Sequence, residues 1–130
     1  MRGDLERSGL FRMVDASGAA LNESTPPVYA DWKNRGADAL SAGSLGRSPD
    51  GRQEARFRLY DVNKQTALAG AAFVATTPML RAAGHHIADV IYEKLTGEPG
   101  VFATRIAYVV KGGGSRYELF IADADGQNEQ

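Results

Sequence analysis

The sequence predicts an α/β fold of the α+β kind, a mixed sheet covered by helices and followed by a C-terminal β-hairpin, and three stretches carry that expectation. Leu80, Ala83, Ile87, Val90, Ile91 and Leu95 recur at three- and four-residue steps, the spacing of one apolar stripe on a helix over residues 78–96. Residues 52–62 alternate apolar and polar side chains as a half-buried strand does, and after a break at Asn63-Lys64-Gln65 residues 66–75 read as the next strand. Two more period-two runs, 104–111 and 117–122, flank Gly112-Gly113-Gly114-Ser115-Arg116 and read as the hairpin.

Taken in order, residues 2–9 read as a short helix with Leu5 as its large apolar residue and Gly9 as its stop. A brief apolar run follows at Leu10, Phe11, Met13 and Val14, and the aperiodic polar stretch 15–25 reads as a loop. Pro26 and Pro27 open a second short helix in which Val28 and Trp32 share a face, with Gly36 as its end and Trp32 as a core anchor. The small residues of 37–45 predict a buried strand with helices pressed onto it. Ser48-Pro49-Asp50-Gly51 supplies a turn, because Pro fits its second position and Gly its exit. In the strand 52–62, Ala55, Phe57 and Leu59 point to the core while Glu54, Arg56, Arg58 and Tyr60 point to water. Residues 66–75 form a third strand, with Leu68, Ala72 and Val74 opposite Ala69, Ala71 and Phe73, completing an antiparallel meander. Thr77 is the expected N-cap of the long helix, Pro78 its first residue, and Gly97 with Pro99 its end.

A chain of 130 residues is one domain by length and buries roughly two-thirds of its unfolded surface, enough for a core. Hydrophobic residues at 43% and charged residues at 24% are ordinary globular values that indicate neither disorder nor a membrane span, and 15 glycines call for tight turns. A net charge of -1 without a basic block argues against an RNA-binding module or any other nucleic-acid partner. With no cysteine there are no disulfides and no thiolate metal ligands. The first residues, MRGDLERSG, contain no apolar export signal, so the chain as written is expected to carry no signal peptide.

His85-His86 is the one pair with catalytic or metal-binding chemistry. Helix neighbours point about 100° apart and cannot converge on one ion. Neither histidine has a His, Cys or Glu four residues on, and Asp89 is expected to make only a weak surface pair with His85. A structural or surface role is therefore expected, with a small metal-dependent hydrolase using His85, His86 and Asp89 as the alternative. Asp123-Ala124-Asp125-Gly126 lacks the acid spacing of a calcium loop and reads as a turn, and Gly112 to Gly114 as a hairpin tip. Gly84 inside the long helix suggests a close approach to the sheet, or a tolerated glycine. No catalytic, cofactor-binding or metal residue is expected.

The pattern R-x-x-x-H-x-x-A-D-x-x-Y-E-K-L-T-G from Arg81, followed by F-x-T-R-I-A-Y-V from Phe102, resembles the TolB family of the Tol-Pal envelope system. The likeness extends to LERSGLF at Leu5, GADAL at Gly36, RFRLYDV at Arg56, LAG at Leu68 and YEL-x-IADADG at Tyr117, nearly the whole chain. It implies a TolB N-terminal-domain-like body over residues 1–100, lacking the family's first strand, and a hairpin over 101–130 that opens a truncated β-propeller. The family's signal peptide would lie upstream, so a fragment is expected. The resemblance further implies a non-enzymatic, periplasmic binding and scaffold component without cofactors. It would work with Pal and TolA in envelope integrity, outer-membrane constriction during cell division and protein import. In the family TolA is engaged through the extreme N-terminal segment and Pal mainly through the propeller, so no partner-binding residue is assigned on these positions.

Overall fold

The computed structural model describes residues 1–19 and 21–130; Ala20, within the expected 15–25 loop, lies outside the described residues. The elements are α1 (Arg2–Arg7), α2 (Tyr29–Asn34), β1 (Ala39–Arg47), β2 (Gln53–Asp61), β3 (Thr66–Ala75), α3 (Leu80–Thr96), β4 (Arg105–Lys111) and β5 (Tyr117–Asp123). β1, β2 and β3 form one sheet in that order and β4 and β5 a second, every described pairing being antiparallel.

Ala55, Phe57 and Leu59 present one face of β2 to α3, as their alternation requires. Phe57 and Leu59 meet Ile87, Ala88 and Ile91 of α3, and Leu5 lays α1 against the same cluster. Leu80 and Leu95, at the ends of the stripe, are half-buried. Gly97 ends α3 in the left-handed conformation at φ 79°, its N–H donating to the Glu93 carbonyl over 2.8 Å. The start of the helix differs from expectation. Thr77–Met79 is a 3-10 turn, and the Thr77 hydroxyl accepts a hydrogen bond from the Gln53 side chain (3.2 Å) instead of capping.

The opposite face of the sheet is not wholly in water. Tyr60 is buried, and with Leu40, Val62 and Ala37 it packs against Trp32 of α2. The register brings Leu40 beside Tyr60, and a break between Leu59 and Tyr60 leaves Leu68 as an extra residue in β3. That bulge puts Leu68 and Ala69 against the same α3 cluster, although strict alternation places them on opposite faces. Val28 is not on the helix face with Trp32; it precedes the first helical residue and is 64% exposed.

The strand expected to be buried over 37–45 is an edge strand over Ala39–Arg47, buried only at Leu40 and Ala42. Its small residues answer the neighbouring strand and not a helix: a Cβ on Gly43 would lie 2.8 Å from the Arg56 carbonyl oxygen. Gly84 likewise faces the start of α1, where a Cβ would meet the Met1 nitrogen at 3.6 Å, and not the sheet.

Ile87→Ala should lower the unfolding free energy by about 2 to 5 kcal/mol, the cost of truncating a buried aliphatic. Leu45→Ala, at an exposed edge position, should change it by under about 0.5 kcal/mol. Urea denaturation of the two variants measures the contrast.

Candidate functional site

Burying Ile87, Ala88 and Ile91 against the sheet fixes the rotation of α3 about its axis and hence the aim of every other side chain on it. Arg81 and His85, four residues apart, share the side that meets α1 and the turn leaving β5. His85 is buried, with Nδ1 2.7 Å from Asp4 Oδ2 and Nε2 3.5 Å from Asp125 Oδ2. Asp4 comes from α1 and is itself buried; Asp125 comes from the turn after β5. Three segments distant in sequence therefore meet around one imidazole.

Guanidinium groups close the outside of this cluster. Arg7 bonds Asp4 and lies 3.9 Å from Asp125, while Arg81 bonds Asp125 and lies 3.4 Å from Asp123. Arg105 reaches Asp123 at 3.7 Å and the Met1 amino group reaches Asp4 at 3.2 Å. Burial works against ionisation of Asp125, but the Gln127 N–H and the Arg81 guanidinium outweigh it, with a smaller pull from His85, and hold this carboxyl below its ordinary range. One ligand atom from each of Asp4, His85 and Asp125 lies within 4.8 Å of the others, a donor set that a cation can use. Arginines already occupy both carboxylates, so the arrangement works as a closed network of internal ion pairs.

Of the residues singled out in the sequence, His85, His86 and Asp89 do not converge. His86 is exposed and meets the Phe73 ring edge-on at 6.0 Å between centroids. Asp89 makes no surface pair with His85; its carboxylate accepts the N–H groups of Phe102 (2.7 Å) and Ala103 (3.1 Å). Gly100 must be glycine for that contact, because a Cβ there would lie 2.5 Å from Asp89 Oδ1 and 2.6 Å from its Cα. The three side chains thus point in three directions, and the geometry a hydrolase would need is not assembled by them. Asp123 to Gly126 is a turn as expected, with Gly126 at φ 80°, but its carboxylates face inward to the network. Asp4 and Asp125 were invisible as partners of His85 because only the tertiary fold joins positions 81 and 40 residues away. The four-residue spacing of Arg81 and His85 was the one available signal.

On the open sheet face, Arg56 and Glu54 pair at 2.8 Å beside a shallow groove lined by Arg58, Gly70 and Ala72. Among the described residues, no helix is long and apolar enough to cross a membrane.

Residues 1–68 match the model of the TolB amino-terminal domain. The chain belongs to the TolB family. It is 64% identical over 128 residues to the Tol-Pal system protein TolB of Dechloromonas aromatica, covering 98% of this chain and 30% of that protein. The TolB of Bordetella avium is 54% identical over 130 residues, covering all of this chain and 29% of that one. The crystal structure of TolB from Acinetobacter baumannii matches with a TM-score of 0.85 at 36% identity, covering 98% of this chain and 33% of that chain. The TolB relationship read from the motifs is thereby shown, as is a fold of helices over antiparallel sheets. The chain spans 30% of the length of its Dechloromonas relative.

Asp89→Ala should destabilise the chain by about 1 to 3 kcal/mol, because two N–H donors lose a charged acceptor. His86→Gln should leave the urea midpoint unchanged. The depressed Asp125 carboxyl has a separate signature. Its contribution is present above the unfolded carboxylate value of about 3.9 and is lost as the pH falls through the folded value. Asp125→Asn should therefore remove part of the stability difference between pH 6 and pH 3, measured by denaturation at the two pH values.

Proposed function

We propose that the chain is the N-terminal body of a non-enzymatic Tol-Pal system component, acting as a periplasmic binding and scaffold element. The single observation that carries this reading is the 64% identity to a Tol-Pal system protein TolB across 98% of the chain. The site geometry agrees with a scaffold. His85, Asp4, Asp125 and Arg81 spend their polar groups on one another and tie segments together. By family the partners are Pal and TolA, and the roles are envelope integrity, outer-membrane constriction at division and protein import.

The division of labour within the chain follows. Residues 1–100 form the body, and 101–130 open a β-structure that continues beyond Gln130. Ile106, Val109 and Leu119 are 46, 61 and 67% exposed, more apolar surface than a finished hairpin leaves in water. Ile121 and Gln130 also exchange two backbone hydrogen bonds of 2.9 Å, so the segment after the turn already runs back along β5 as a further strand would.

Deleting the reading frame that contains this chain from its bacterium should give detergent-sensitive cells that leak periplasmic protein and divide in chains. The protein should fractionate with the periplasm. Normal detergent resistance in the deletion, or a cytoplasmic protein, would overturn the proposal.

A further inference from the structure

β3 is an outer strand of the three-stranded sheet and is hydrogen-bonded to β2 alone. On its other side, no backbone group of another described segment bonds to it. Past the Leu68 bulge its pairing with β2 is regular, so alternate N–H and C=O groups of residues 69–75 point outward without a partner. Folded proteins ordinarily blunt such an edge with lysine, proline or an inward charge, yet Thr66–Ala75 reads TALAGAAFVA and contains none of these.

A guanidinium stands over this edge. Arg58 lies opposite Gly70 in the register, and a Cβ on Gly70 would lie 3.2 Å from Arg58 Cγ and 3.8 Å from its Cδ. The missing side chain lets the arginine stem lie across β3 toward its outer side. Arg58 is exposed, and among the described residues it makes no ion pair and no side-chain hydrogen bond. The carboxylates of the same groove are engaged elsewhere: Glu54 pairs with Arg56 at 2.8 Å, and Glu23 is a weaker charge partner of Arg56. The other outer strand, β1, carries no charged side chain over residues 39–46 and has no such group.

We propose that the outer edge of β3 is a docking site for an extended segment of a partner protein, which adds a fourth strand and places an aspartate or glutamate beneath Arg58. Main-chain hydrogen bonds hold a strand added in this way, and side chains at alternate positions select it. Gly70, Ala72 and Val74 share the face that carries Arg58, and Val74 is 46% exposed. The matching segment therefore has a carboxylate beside Gly70 and an apolar residue beside Val74, four positions apart on one face. A second copy of this chain fits poorly. Two β3 strands paired antiparallel would bring both Arg58 side chains over one seam, to which β3 contributes no carboxylate. The acceptor edge does not depend on the partner belonging to the Tol-Pal system.

The test is a nuclear magnetic resonance titration of the whole chain with two capped peptides, Val-Thr-Val-Thr-Glu-Thr and its reverse, which suit antiparallel and parallel docking. Each is also made with Gln in place of Glu. Docking shifts the amides of residues 69–75 and the Arg58 Nε–H with at least one Glu peptide. Its Gln counterpart binds about fivefold more weakly, the upper range of an exposed ion pair, and added salt narrows the gap. Arg58→Gln removes the preference for Glu, whereas Arg116→Gln, an equal loss of charge at the hairpin tip, keeps it. No shift at β3 up to millimolar peptide, shifts centred elsewhere, or equal binding of the Glu and Gln forms would overturn the proposal. So would protection from exchange of every amide from Ala69 to Val74 in the chain alone, because the edge would then already be filled, by a second copy if the chain sediments as a dimer and by the chain itself if it does not. Should Arg58→Gln fail to fold, the comparison of Glu and Gln peptides on the unaltered chain still decides.

Discussion

The rotation of α3 about its own axis is the constraint from which the other contacts follow. Ile87, Ala88 and Ile91 must enter the core formed with Phe57 and Leu59, and a helix advances about 100° per residue, so nothing else on it remains free to choose a direction. Arg81 and His85 are carried to α1 and the β5 exit, Asp89 to the segment before β4, and His86 to the rim beside Phe73. The apolar term is non-directional and supplies most of the stability. The polar contacts are directional and decide where the hairpin is attached.

Two of these contacts fasten the hairpin at its base, one on entry and one on exit. On entry, Asp89 receives the N–H groups of residues 102 and 103, and Gly100 lets the backbone lie against the helix. Aromatic packing supports this end, with Tyr92 edge-on to both Phe11 and Phe102 at 6.1 and 5.6 Å. On exit, Asp125 and Asp123 meet Arg81 and His85 beneath the buried Ala122. Burying Asp4 and His85 together costs desolvation, which their mutual hydrogen bond and the flanking arginines offset; removing one partner would strand the other. The rest of the hairpin rises away from the body, with Tyr108 stacked on Phe120 at 5.5 Å as its main internal contact.

Local pattern made much of the fold legible before any coordinates. The three-stranded meander, the long helix with its Gly97 stop, the Trp32 anchor and the hairpin around Gly112 all follow from period, turn chemistry and cap residues, which act over a few positions. What was hidden depends on distance in sequence. Tyr60 is buried only because α2 folds over that end of the sheet, and the bulge at Leu68 leaves no mark on the alternation until the strands are paired. The site was the least legible part. His85 looked like half of a dubious pair with His86, whereas its real partners are Asp4 and Asp125, one in a six-residue helix and one in a turn. Asp89 stood at the right spacing to pair with His85, yet two backbone N–H groups fix its carboxylate elsewhere.

In a chain built this way, the helix that holds the core also sets the origin of the β-structure that begins at Arg105. Native-state hydrogen exchange tests that claim most directly, because it reads whether the hairpin base opens with α3 or independently of it. The amides of Asp123 and Ala124, bonded to the Gln127 and Thr104 carbonyls, should be protected nearly as strongly as that of Ile91 and should lose protection with it as urea is added. Those of Val110 and Gly112 near the tip should exchange much faster. Uniformly fast exchange from Arg105 through Ala124, with α3 still protected, would mean that the hairpin is not fastened to α3 and would contradict the account.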